Sequence, residues 1–454
     1  MHRRLRRQRG VSPAQTPERE GQGTGSPGSY PSWLGNAVRF AGHRTRPMPG
    51  GEGPSPVADR RSRAGWISLL CLAAALIPGS RAPAFAQDGE PTPGVSPDRV
   101  LFGQSAALSG PAAALGQGMR LGIQAAFAEI NRRGGVHGRT LELVSLDDGY
   151  EPEAALANTR RLLQEENVFA LIGPVGTPTS RAAEPVVAQA GAPYIGPFTG
   201  AEFLREPDEA PTAVNIRASY FQETDEMVER LIEDLGVSRI AVLYQDDSYG
   251  NAGLTGVRMA LSSRRRELSG LAAYQRNTTA VKVAVLELRR ADPEAVIIIG
   301  AYRPVAEFVR WARRIDFNPI LMNISFVGSE ALAADLGAAG EGVLITQVVP
   351  FPEDNSLRVV RNYRDALRRQ ERGAPPSFVS LEGYIAGRLA GEVLERAGPE
   401  LTRAGFLETL TTIRNLDFGG FSLTYGRGDT QGSDRVFLTR IEANGSLRPL
   451  TSLR

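Results

Sequence analysis

The chain has 454 residues, 42% of them hydrophobic, which is enough for two or three domains with buried cores. Its formal charge is only +2, and beyond residue 100 acidic and basic residues are interspersed, which argues against a nucleic-acid partner. One cysteine, Cys71, and three histidines, His2, His43 and His137, leave little for thiol, zinc or Ser-His chemistry.

Residues 1–60 are rich in Arg, Gly and Pro and show no apolar period, so they read as a disordered n-region. Arg60-Arg61-Ser62-Arg63 precedes an apolar run over 66–77. Pro78-Gly79 and then Ala84-Phe85-Ala86 follow it. Basic segment, short apolar core and A-x-A site together predict a secretory signal peptide, cut after Ala86, and hence a protein exported across the cytoplasmic membrane. The run is shorter than the ~20 apolar residues a spanning helix needs. Cys71 lies inside this run and reads as part of it, not as a lipidation site. The export route stays open, as does the start at Met1 or Met48. Residues 87–98 read as a linker.

From there strands and helices alternate. Strands are predicted at 100–104, 141–146, 169–172, 194–195 and 213–217, with helices at 118–133, 153–166 and 179–190 between them. The pattern then restarts. Helices fall at 221–235, 252–264, 280–291 and 304–315, and strands at 239–244, 295–299, 319–322 and 343–348. Helices at 377–397 and 403–413 follow, then 421–425 and 435–441, which alternate like an antiparallel pair. Strands buried on both faces with helices between them predict parallel α/β layers, and two runs of similar size predict two doubly wound lobes. No cofactor motif occurs. His137, in Gly-Gly-Val-His-Gly, reads as a turn residue.

Ligands of open α/β sheets sit beyond the carboxyl ends of strands. Those ends carry Ser109-Gly110-Pro111, then Gly173 to Ser180 with Thr177, then Gly196-Pro197-Phe198-Thr199. Tyr244 to Gly250 includes Asp246, Asp247 and Tyr249, and Gly300-Ala301-Tyr302 follows the next strand. Hydroxyls at a helix start suit a carboxylate or another acceptor. The pairs Asp147-Asp148 and Asp246-Asp247 read first as helix caps. Adjacent carboxylates on an extended strand end point apart, which disfavours a hydrolase built on either pair.

In sequence order, Leu108-Ser109-Gly110-Pro111-Ala112-Ala113, Glu129 to Arg139, Leu146-Asp147-Asp148, Ile172-Gly173-Pro174, Tyr249-Gly250 and Gly340-Glu341-Gly342-Val343 resemble the type I periplasmic solute-binding proteins of the branched-chain amino acid transporter kind. The resemblance covers roughly 99–445. It implies two lobes joined by a three-stranded hinge, 99–218 with 351–415 and 219–350 with 416–445, leaving 446–454 as a tail. It also implies a non-enzymatic monomer that hands a small molecule to ABC transporter permease subunits.

By the same resemblance, Thr177, Phe198, Thr199, Tyr249 and Tyr302 contact the ligand, and Ser109 is added as a candidate contact from its place after the first strand. Ser325 stands where amino acid binders of the family carry an acid for the ligand's ammonium. Asp246 or Asp247 is then the expected counter-charge, unless the ligand is not an α-amino acid; Phe198, where small residues are usual, suits a flat or apolar group, as in an amide, an aromatic acid or a short carboxylate. A soluble sensor signalling to a membrane receptor is the alternative role.

Overall fold

The computed structural model describes residues 91–454. The expected leader, its cleavage after Ala86 and Cys71 lie outside the described residues. The first lobe opens with β1 (Arg99–Ala106), α1 (Ala113–Arg132), β2 (Thr140–Asp147), α2 (Pro152–Gln164) and β3 (Ala170–Ile172). It continues through α3 (Thr177–Gln189), β4 (Tyr194–Ile195) and β5 (Ala213–Val214). These strands form a parallel five-stranded sheet of order β2-β1-β3-β4-β5. β1 is buried along seven of its eight positions, as a central parallel strand covered on both faces must be.

The second run comprises α4 (Tyr220–Glu229), β6 (Ile240–Gln245), α5 (Ser248–Ser263), β7 (Gly270–Tyr274), α6 (Lys282–Ala291) and β8 (Ala295–Ile299). After it come α7 (Tyr302–Arg314), β9 (Ile320–Asn323), α8 (Ser329–Leu336) and β10 (Leu344–Gln347). The chain then returns to the first lobe with α9 (Arg358–Gln370), α10 (Phe378–Ala397) and α11 (Arg403–Leu410). The short strands β11 (Leu416–Asp417) and β12 (Ser422–Leu423) follow, and β13 (Phe437–Ile441) and β14 (Leu447–Leu450) end the series. The second sheet runs β14-β13-β10-β9-β8-β6-β7 and is parallel except for β13 and β14.

Several expectations change here. The strands expected at 421–425 and 435–441 do not pair with each other: β12 pairs with β11, while β13 joins β10 and β14 in the second sheet. Phe421, Leu423 and Tyr425 pack with Val349, Val359 and Ile413 in the first-lobe core. The chain therefore crosses after Tyr425 rather than at 415/416. Residues 447–450, read as tail, complete the second sheet as β14. β7, α8 and α9 have no counterpart in the sequence reading. β7 (Gly-Leu-Ala-Ala-Tyr) is a sheet-edge strand with no β-branched residue, so propensity gives it no signal. α9 did carry one, with Val359, Val360, Tyr363, Ala366 and Leu367 buried along one face.

The hinge is stitched by hydrogen bonds between crossings. Asn215 N donates to Thr430 O at 2.8 Å, and Gly432 N donates to Asn215 O at 2.8 Å. The Arg205 guanidinium, from the first lobe, donates to Gln431 Oε1 at 2.7 Å and to Arg217 O at 3.0 Å. His137 sits in its turn with φ of +48°.

Candidate ligand-binding cleft

The site begins at the helix that follows β3. Gly176 caps α3 with φ of +106°, and a Cβ there would meet the Tyr150 ring at 2.2 Å, so only glycine allows this turn beneath that tyrosine. Phe198 N donates to Pro174 O at 2.8 Å and Gly176 N to Phe198 O at 3.2 Å, which ties the loops after β3 and β4 together. In consequence the hydroxyls of Thr177 and Thr199 lie 2.7 Å apart, both buried, at the positive end of α3. Tyr220, in the first turn of α4, buries its hydroxyl without a hydrogen bond of ordinary geometry. Burial pushes this phenol up, while the Arg217 charge and the Thr199 and Thr177 hydroxyls pull it down.

The second lobe closes over these groups with aromatic surface. The Phe326 ring centroid lies 4.5 Å from that of Tyr249, 5.5 Å from Phe198 and 5.9 Å from Tyr150. Tyr249 also lies 5.5 Å from Tyr220. Polar contacts bridge the lobes around this cluster. Gln245 Nε2 donates to the Tyr150 hydroxyl at 3.3 Å, Ala114 N to the Tyr302 hydroxyl at 3.4 Å, and Arg276 pairs with Glu151 at 2.8 Å.

Behind the aromatic wall lies a buried ionic network absent from the sequence reading. Arg217 binds Glu382 through two parallel bonds of 2.8 and 2.7 Å, and both side chains are almost wholly buried. The guanidinium carbon stands 4.2 Å above the Phe198 ring, and one N–H reaches Ser325 Oγ at 3.3 Å. Glu223, fully buried on α4, accepts from Ser325 N and Ser325 Oγ, each at 2.9 Å, and from Thr346 Oγ1 at 2.6 Å. Burial raises the Glu223 carboxyl, against the opposing pull of Arg217.

The residues singled out from sequence thus separate into groups. Thr177, Phe198, Thr199 and Tyr249 come together around the cleft, while Tyr302 bridges the lobes through Ala114 N and lines a separate pocket with Arg303 and Arg310. Ser325 joins the first four through Arg217 and Glu223. Ser109 does not: it is exposed, and its backbone N–H donates to Asp147. Asp246 is exposed. Asp247 caps α5, accepting from the Tyr249 and Gly250 N–H groups, and its other oxygen takes Gln245 and Arg276. Arg217 had left one trace in the sequence, a lone charge at the end of an apolar strand. Tyr220 and Glu223 read as an ordinary first helical turn.

Two parallel α/β sheets joined by three crossings, with facing strand ends lined by hydroxyls and aromatics, define a bilobal solute-binding protein. A family model described as periplasmic binding protein matches residues 100–446, and the chain belongs to that family, as a type I member of the Leu/Ile/Val-binding kind. A solved structure of a possible leucine/isoleucine/valine-binding protein from Rhodopirellula baltica SH 1 is 39% identical. It superposes with a TM-score of 0.75, covering 81% of this chain and 100% of that one. A substrate-binding periplasmic protein from Ralstonia solanacearum is 32% identical, with a TM-score of 0.73 over 77% of this chain and 100% of that one. Leu/Ile/Val-binding protein homolog 7 of Brucella abortus (strain 2308) is 24% identical over 370 residues, which is 79% of this chain and 89% of the relative. The family consists of solute-binding proteins, not enzymes.

Proposed function

We propose that this chain is the periplasmic solute-binding component of an ABC importer, and that it captures a small polar or amphipathic molecule between its lobes. The observation that carries the proposal is the convergence of the Thr177, Thr199 and Tyr220 hydroxyls at the start of α3, under an aromatic cover supplied by the other lobe. In this reading Thr177 and Thr199 of the first lobe, joined by Tyr220 at the start of α4, bind the ligand's acceptor group. Hinge closure then brings Tyr249 and Phe326 over the ligand, and the closed form docks on permease subunits. The chain's relatives include proteins named for binding leucine, isoleucine and valine, which supports a solute of that size.

The test is thermal unfolding of the purified protein against amino acids, amides and small carboxylates. A ligand that binds only the folded state at a hundredfold excess over its dissociation constant adds about 2.7 kcal/mol of stability. We expect a saturable rise in melting temperature with one chemical class, weakened at least tenfold by Thr199→Val. A library that leaves the melting temperature unchanged defeats the proposal.

A further inference from the structure

The charged groups around the cleft narrow the ligand class, and the narrowing rests on the solute-capture reading above. Glu382 is committed to Arg217 through both oxygens. Glu223 is fully enclosed, with one oxygen taken by Ser325 Oγ and the other by Ser325 N and Thr346 Oγ1. Asp247 uses one oxygen on the first-turn N–H groups of α5 and the other on Gln245 and Arg276. Asp148 accepts from Ser105 Oγ and from Tyr150 N. Glu330 keeps one buried oxygen without a partner, but it lines a separate pocket of about 270 Å3 with Phe351, Pro352, Pro375 and Pro376, and none of the cleft aromatics reaches it.

None of these acids is therefore free to meet a ligand ammonium in the cleft, and an unpaired buried cation is costly. Glu184, which also buries an oxygen without a partner, lies about two turns along α3 from Thr177. Donors, by contrast, are in surplus. The Tyr220 hydroxyl is buried without a hydrogen bond of ordinary geometry, the Thr177 and Thr199 hydroxyls bond each other while Thr199 also accepts from Ala201 N at 3.2 Å, and the first turn of α3 presents its positive end. The walls are flat: Phe198 and Tyr150 from one lobe face Phe326 from the other at centroid spacings of 5.5 and 5.9 Å.

We infer that the cleft selects a carboxylate with a flat, aromatic body and no amino group, in preference to an α-amino acid. Its carboxylate accepts from Tyr220, Thr177 and Thr199, and its ring packs on Phe198 and Phe326, which touch at a centroid spacing of 5.5 Å here and have to part as the lobes open to admit it.

Titration calorimetry with a matched series tests this: 3-phenylpropanoate, its primary amide, L-phenylalanine and phenethylamine, with 4-methylpentanoate against L-leucine as the non-aromatic pair. We expect 3-phenylpropanoate to bind at least tenfold more tightly than L-phenylalanine or the amide, with no heat from phenethylamine and weaker binding of 4-methylpentanoate. Tyr220→Phe should weaken 3-phenylpropanoate about tenfold with at most a small change in the ligand-free melting temperature, because that hydroxyl makes no hydrogen bond of ordinary geometry within the chain. An α-amino acid that binds as tightly as its deaminated partner overturns the inference and leaves solute capture standing. An amide that matches the acid overturns the anionic half of it. Failure of the whole series, together with the broader library, overturns both readings.

Discussion

At the scale of single residues, the cleft combines groups that sequence rules find with groups they pass over. Thr177, Phe198, Thr199 and Tyr249 were accessible because each follows a strand end, and strand ends of one sheet share an edge. Arg217, Tyr220 and Glu223 were not, because their roles depend on partners far along the chain, such as Glu382 on α10 and Thr346 on β10. The Arg217–Glu382 pair should be costly to break from one side. Glu382→Gln leaves a guanidinium with 1% of its side chain exposed and only the nearby Glu223 carboxyl, which it does not bond, to offset its charge, for which the expected loss is about 3–5 kcal/mol. Urea unfolding of the variant measures it, and a loss below about 1 kcal/mol would remove the pair from the account of the hinge.

At the scale of elements, the first lobe depends on how closely α1 and α10 approach. A Cβ at Gly122 would lie 2.0 Å from Ser380 O and 2.6 Å from Tyr384 N, and one at Gly383 would lie 2.4 Å from Met119 O. The helices thus touch backbone to backbone, and α10 in turn carries Glu382 to the cleft. Gly122→Ala should cost about 1–3 kcal/mol or more through overpacking. A melting temperature equal to the parent's would show that the helices can separate at no cost. Helix existence was largely legible from apolar periodicity, although α8 and α9 were passed over. Strand pairing was less so. β12 and β13 both alternate as strands should, yet nothing local says that Phe421 and Leu423 belong to one lobe and Leu438 and Ile441 to the other.

For the molecule as a whole, the lobes touch through more than the cleft. Glu330, on α8 of the second lobe, accepts from Phe378 N at 2.8 Å, at the start of α10 in the first. Burial pushes the Glu330 carboxyl up to about 7, Glu353 adds to the shift, and the Phe378 N–H opposes it. A carboxyl raised in the folded state favours folding fully below its ordinary value of 4.5, and this contribution is lost as pH rises through about 7. Between pH 5 and 8 the wild type should therefore lose melting temperature relative to Glu330→Gln, which keeps the acceptor and cannot ionise. Asp148, raised to about 6 by burial, titrates in the same direction in both proteins and cancels in the difference. Parallel curves for the two proteins across that range would mean that Glu330 is ionised throughout.

The sequence by itself determined the layers, the repetition of the α/β pattern into two lobes, and the strand-end loops that hold the hydroxyls and tyrosines, because apolar period and turn chemistry are local properties of the chain. Only the tertiary structure decided which acids remain free to meet a ligand. Local pattern leaves Asp246 and Asp247 as candidate partners for an ammonium and puts Ser325 where the resemblance expects an acid. In the fold Asp246 is exposed, Asp247 is spent on capping α5, and Ser325 covers a carboxyl that arrives from α4. Whether a charged group is available depends on who else reaches it, and those partners come from segments about a hundred or more residues apart, such as Ser325 and Glu223 or Arg217 and Glu382.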